Sequence, residues 1–235
     1  KFDTLLKRNN IYSHCSGQVI QLSFSSEEVS WLIADNYREQ LTSYLDIILE
    51  AIPVVRETPD VISITQLEKN RFSVADIILS LSEILTRDFS LVAEKGFLID
   101  EHGDTLKLFV PSDEPEFPRI VVPFAATTLR VVPDLQTVSK AQIISDLSVH
   151  YTKVRTQLRN IGLNQSTIAI ARAAKLRDIP CYRVNKPGEI LQLGQGKYRQ
   201  RIMETATDNT STVGHILSGD KYQTNAILRS HHIPT

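Results

Sequence analysis

The chain has 235 residues, 42% of them hydrophobic and 23% charged, and 26 Lys and Arg against 27 Asp and Glu leave a net charge of −1. That balance suits one large globular domain or two small ones, and it lacks the overall basic excess of a general nucleic-acid binder. Its apolar runs are short and broken by charges, so no transmembrane span is expected. No apolar signal core follows KFDTLLKRNN, and a cytoplasmic protein without a membrane partner is the expectation. The chain opens without Met and stops at HHIPT, which reads as a piece of a longer polypeptide.

Residues 11–24 read as strand, with Ile20, Leu22 and Phe24 alternating with Gln21 and Ser23. Ser25 and Glu28 form a capping-box pattern. Behind it Val29, Leu32, Ile33, Tyr37, Leu41, Tyr44, Leu45, Ile48 and Ile52 recur at helical spacing until Pro53. Trp31 and the aromatic positions of this helix are core candidates. Val61 to Thr65 is a short strand candidate. Ser73 caps a second helix with Asp76 in its first turn and Val74, Ile77, Ile78, Leu81, Ile84 and Leu85 inward.

LVAEKGFLID and TLKLFVP flank the turn Glu101-His102-Gly103-Asp104 and predict a hairpin. Pro111 to Pro118 reads as a proline-punctuated acidic loop, with Asp113, Glu114 and Glu116 solvated. RIVVPF and TLRVVP are strand-like. Residues 139–160 predict a helix with Ile143, Ile144, Leu147, Tyr151, Val154 and Leu158 inward.

A boundary is expected near Asn160 to Asn164. After it Ser166 caps a helix reaching about Arg177, Ile179 to Val184 is a buried strand, and Asn185-Lys186-Pro187-Gly188 is a turn. Ile190, Leu191 and Leu193 make the next strand. The fold expected is an α+β domain over 1–160 followed by the opening of an α/β unit over 161–235.

LQLGQGKYRQR, Leu191 to Arg201, invites a phosphate-loop reading that its spacing rejects. A Walker loop needs a glycine five before Gly196 and a hydroxyl after the lysine, but Leu191 and Tyr198 stand there. A dinucleotide fingerprint needs a glycine where Arg199 is. Gly194 and Gly196 then suit a turn needing positive φ. On an extended chain Lys197, Arg199 and Arg201 share one face, suiting carboxylate or phosphate groups. The alternative is a solvated edge strand charged against aggregation. Ser211 can cap a short helix ended by Gly219, and Asp220 the next, which puts Lys221 in a first turn where a bound anion would offset the helix dipole.

STIAIARAAKLRDIPCYRV, EILQLGQGKYRQRIMETATDNTS and DKYQTNAILRSHHIPT resemble the opening of the ATP-grasp ligase part of cyanophycin synthetases, and the bifunctional glutathione synthetases carry a related segment. The resemblance covers about residues 162–235. It implies an α/β pre-ATP-grasp-like unit in an ATP-dependent carboxylate–amine ligase that uses ATP and Mg²⁺, an amino acid and an acceptor peptide or polymer. By resemblance Lys221 reaches ATP phosphates, and Ser166 and Thr167 are hydroxyls on the acceptor side. Lys197, Arg199 and Arg201 lie near substrate, and Gly194 and Gly196 shape the loop. No residue is assigned the catalytic step. The second lysine, the glycine-rich flap and the metal ligands would lie beyond Thr235, so these residues alone would not hold Mg·ATP in the family's way. Residues 1–160 sit where an acceptor-holding domain would. A homo-oligomer stays open, and nucleic acid is not expected as a partner.

The competing reading is a non-catalytic polymer- or partner-binding module carrying an ATP-grasp remnant. Cys15 and Cys181 are too few and too distant for a disulfide framework. His14-Cys15 point to opposite strand faces, and the adjacent His231-His232 lack a third metal ligand.

Overall fold

Ile20 and Leu22, alternating with polar neighbours, belong to the strand at the heart of the first sheet. The computed structural model describes residues 2–5, 17–23, 37–57, 74–92, 94–102, 105–129, 137–184 and 190–234. These fall into two compact units, Lys1–Leu163 and Asn164–Thr235. Among the described residues eight helices and two small antiparallel sheets form a mixed α and β chain. None of these helices is long and apolar enough to cross a membrane.

In the first unit β1 (Phe2–Leu5), β2 (Gly17–Ser23), β3 (Phe97–His102) and β4 (Thr105–Pro111) pair antiparallel in the order β1-β2-β4-β3. Register sets Ile20 beside Leu108 and Leu22 beside Leu106. That face joins the core with α1 (Tyr37–Ala51), α3 (Val74–Thr86), α4 (Glu116–Thr128) and α5 (Lys140–Ile161). The hairpin expected around Gly103 is formed by β3 and β4, with an irregularity between Leu98 and Asp100. Phe97 and Phe109 pack on the other face with ring centroids 5.0 Å apart. Gly17 must be small there, because a Cβ would lie 2.4 Å from the Phe109 ring.

Local signals placed several elements. The Ser139 hydroxyl accepts from Gln142 N at the start of α5, and Ile143, Leu147, Tyr151, Val154 and Leu158 form its buried stripe. Ile144 is only partly buried. Pro53 does more than end α1, since it opens the short helix α2 (Pro53–Glu57), as a residue without an N–H can. The sequence readings at Trp31, Val61 to Thr65, Ser73 and Asn185 to Gly188 lie outside the described residues.

RIVVPF is helical, not strand, and occupies the middle of α4. Phe117, Val121, Val122, Phe124 and Ala125 of this helix are all buried. Its less buried face carries Ile120 and Pro123, so the run is apolar without a clear polar stripe, the same pattern as a buried strand. Pro118 lies in its first turn, where the missing N–H has no intrahelical partner to lose. Pro123 lies inside, and Thr127 Oγ1 donates to its carbonyl at 2.8 Å.

The acidic loop is not solvated throughout. Asp113 accepts from the Ser90 hydroxyl and from Leu91 N, the latter at 3.2 Å, and Glu114 is 4% exposed. These bonds tie the end of β4 to the turn after α3.

The second unit opens with α6 (Gln165–Lys175), followed by β5 (Cys181–Arg183), β6 (Ile190–Leu193), β7 (Gln200–Met203) and β8 (Ala206–Thr207). Alternating helix and strand here lead to an antiparallel sheet in chain order, β5-β6-β7-β8. Asn164, not Ser166, caps α6, its side chain accepting from Thr167 N at 2.8 Å. The segment expected as a buried strand is largely open, with Ile179 37%, Tyr182 45% and Val184 41% exposed. The helices α7 (Thr212–Gly219) and α8 (Lys221–Ser230) close the unit without burying a residue.

Candidate functional site

The glycine–lysine stretch is the connection between β6 and β7. Gly194 and Gly196 take φ of +71° and +58°, the left-handed region where a Cβ is strained. Gly194 N donates to the Pro180 carbonyl at 2.7 Å, Tyr198 N to Gln195 O at 3.2 Å and Arg199 N to Gly196 O at 3.3 Å. Those amides are already paired with backbone carbonyls, so they do not cradle a phosphate.

The turn also changes where the cations point. Gly196–Tyr198 is a 3₁₀ turn, so Lys197 is not on one extended face with the two arginines. Its ammonium lies 4.9 Å from the centroid of the Tyr198 ring. Arg199 is extended (φ −63°, ψ 140°) and leads into β7, so Arg199 and Arg201 sit two apart on extended backbone. The solvated-edge alternative also changes, because β7 is an inner strand between β6 and β8.

The polar run after β7 holds a turn. Arg201 N donates to Asp208 Oδ2 at 2.9 Å, and Asp208 N returns to Arg201 O at 3.1 Å. Thr207 N donates to Thr210 Oγ1 at 2.9 Å, and Asn209 N to Thr207 Oγ1 at 3.3 Å. Ser211 then caps α7 by accepting from Gly214 N at 3.4 Å.

Asp220 caps α8, its Oδ1 accepting from Tyr222 N at 2.9 Å and Gln223 N at 3.1 Å. Lys221 therefore occupies the first helical position and is exposed. The adjacent Asp220 carboxylate already supplies the negative charge that the helix end favours, so a bound anion is not needed to offset this lysine.

Ser166 and Thr167 are neighbours with opposite fates. Ser166 is exposed, while Thr167 is fully buried and its Oγ1 has no hydrogen-bond partner. Only Ser166 is presented to solvent. All candidate residues belong to the second unit. Among the described residues, no hydrogen bond, ion pair or ring contact shown by the structure links Lys197, Arg199, Arg201 and Lys221 to one another.

Cross-strand pairing assembles a group that local pattern does not reveal. Tyr182, Gln192 and Arg201 are register partners across β5, β6 and β7. Gln192 is 7% exposed, and its Nε2 donates to Gly194 O at 3.3 Å. No spacing rule in the sequence points to this row. Cys181 is half-buried and free, and burial pushes its thiol above the ordinary range, against a role as nucleophile. His14 and Cys15 lie outside the described residues, and His231 and His232 are exposed at the end of α8. Among the described residues no group of three or more His, Cys, Asp or Glu could hold a metal ion.

No protein-family model matches the chain, and no curated protein matches its sequence.

Proposed function

We propose that the chain is the N-terminal part of an ATP-dependent carboxylate–amine ligase of the cyanophycin synthetase type, acting in the cytoplasm. Residues 1–160 would hold an acceptor peptide or polymer, and residues 161–235 would open the ATP-grasp region as its pre-ATP-grasp-like unit. The observation that carries this reading is the ordered run of motifs from Ser166 through Gly194-Gln195-Gly196-Lys197 and Thr207-Asp208 to Asp220-Lys221.

In the proposed reaction a carboxylate oxygen takes the γ-phosphoryl group of ATP and ADP leaves. The amine of an amino acid then attacks the acyl phosphate. Phosphate departs, the amine gives up a proton, and an amide is formed. Lys221 would meet ATP phosphates, Arg199 and Arg201 the anionic groups of substrate, and Ser166 the backbone of the acceptor. Cations help such a reaction by stabilising charge on the transferring oxygens. The described residues do not form a magnesium site, so their proposed part ends at binding anionic groups.

The full-length protein, given ATP and Mg²⁺, is expected to release ADP only when an amino acid and an acceptor peptide are both present. Turnover that ignores both, or no turnover with any pairing, overturns the ligase reading. The exposure of all four cations also suits a non-catalytic module gripping an anionic polymer or partner. That reading requires heat of binding to acidic or arginine-bearing peptides without ATP, and calorimetry decides it.

A further inference from the structure

The near-neutral chain is a sum of two opposite parts. Residues 164–235 carry ten Lys and Arg against five Asp and Glu, a net of +5, while the remainder carries 16 against 22, a net of −6.

Within the basic unit one sheet face carries exposed side chains on β5 and β7 around the buried Gln192. Tyr182, Gln192 and Arg201 share that face through their register, and Met203 follows two residues after Arg201. Leu191 and Ile202 are on the opposite face, buried like Ile168, Ala171 and Ala174 of α6, the helix that packs on β5 and β6. On the face of this row Tyr182 is 45% and Met203 48% exposed, and Arg201 is exposed beside them. Adjacent strands are spaced by about 4.8 Å, so the Tyr182 ring and the Arg201 guanidinium are rooted about 10 Å apart with an amide between. The preceding turn adds Arg199 and the Lys197–Tyr198 pair, whose ring is 76% exposed.

Exposed rings beside cations on an antiparallel sheet suit a flexible polyanion that has flat faces of its own. Single-stranded nucleic acid is such a ligand, because bases stack on side-chain rings while phosphates meet Lys and Arg. An acidic polypeptide would use the cations and leave the exposed tyrosines without a role.

We propose that this face of the second unit, together with the adjoining β6–β7 turn, binds single-stranded nucleic acid, with Tyr182 and Tyr198 stacking bases and Lys197, Arg199 and Arg201 neutralising phosphates. The inference does not rest on the ligase reading, and its test contains neither ATP nor amino acid.

Fluorescence anisotropy of labelled oligothymidylate with the full chain reads it out. Three phosphate contacts predict a log–log salt slope of about −2. Tyr182→Ala should weaken binding about tenfold, and Tyr182→Phe should preserve it, since the ring does the stacking. Arg199→Glu with Arg201→Glu should abolish binding at low salt, with an unchanged circular dichroism spectrum. No anisotropy change at low salt overturns the proposal. Competition by poly-glutamate as effective as by unlabelled oligothymidylate, with Tyr182→Ala neutral, also overturns it and identifies an acidic polypeptide as the partner. Equal affinity for duplex DNA overturns it in favour of charge attraction alone.

Discussion

The first unit is held by its interior and the second largely by its turns and caps. Among the described residues 34 buried apolar side chains lie in Lys1–Leu163 and five in Asn164–Thr235, so apolar burial cannot play the same part in both. The second unit relies on local polar bonds from Asn164, Asp208, Thr210, Ser211 and Asp220. It also exposes Tyr182, Tyr198, Met203, Val213, Ile216 and Tyr222. A deep core tolerates surface change and is sensitive to truncation of the side chains inside it. A unit built from caps spends its side chains on local geometry and leaves its faces open for contact.

The strongest way to break this contrast is to cut both interiors. Phe117→Ala, at a site with no exposure, should cost about 3–5 kcal/mol in urea unfolding. Ile202→Ala in the second unit should cost only about 2 kcal/mol, because a thin layer can collapse into the space left. Equal losses would show that the second unit has a core as consequential as the first.

Overpacking gives the next largest effect. Gly17→Ala would place a Cβ 2.4 Å from the Phe109 ring and 2.7 Å from the Val110 carbonyl, and the carbonyl cannot swing aside. A loss of about 1–3 kcal/mol is expected by the same measurement.

Alkaline pH separates the units by a buried phenol. The Thr128 hydroxyl donates to Ala125 O at 2.6 Å, so Tyr44 donates to Thr128 Oγ1 at 2.7 Å. Burial raises the Tyr44 phenol far above its ordinary value, and the Thr128 bond offsets part of that rise. The folded state therefore keeps a proton that the unfolded chain releases near the usual tyrosine range. Stability from this group is complete below that range and falls as pH rises beyond it. Tyr44→Phe should lose about 1 kcal/mol at neutral pH and flatten the alkaline slope. A slope as steep as that of the unsubstituted chain would assign it to other groups.

Asp220→Ala should cost about 1 kcal/mol, confined to α8. Hydrogen exchange should speed at Tyr222 and Gln223 while amides of β4 are unchanged, and a global change would refute the local character of the cap. Smallest of all, Arg201→Ala should shift stability by no more than about 0.5 kcal/mol, because the side chain is exposed.

Legibility divides along the same physics. The stripe Ile143 to Leu158 of α5, and the cap at Asp220 before α8, were readable because capping bonds and helical faces span a few residues. The positive φ at Gly194 and Gly196 was readable for the same reason. The α4 segment was not, since its less buried face carries the apolar Ile120 and Pro123, so no polar stripe marks it. Asp113 and Glu114 read as solvated because the partners of Asp113, Ser90 and Leu91, are more than twenty residues away. The basic triplet lost Lys197 from its shared face because the 3₁₀ turn interrupts the extended chain.

The sequence by itself determined the caps of α7 and α8, the helical stripe of α5 and the left-handed glycine turn, since each depends on backbone geometry within one or two turns of chain. Only the tertiary structure decided that Tyr182, Gln192 and Arg201 stand in one row. Strand register joins residues that local spacing does not relate. It is settled by which surfaces bury together, a property that no short stretch of sequence contains.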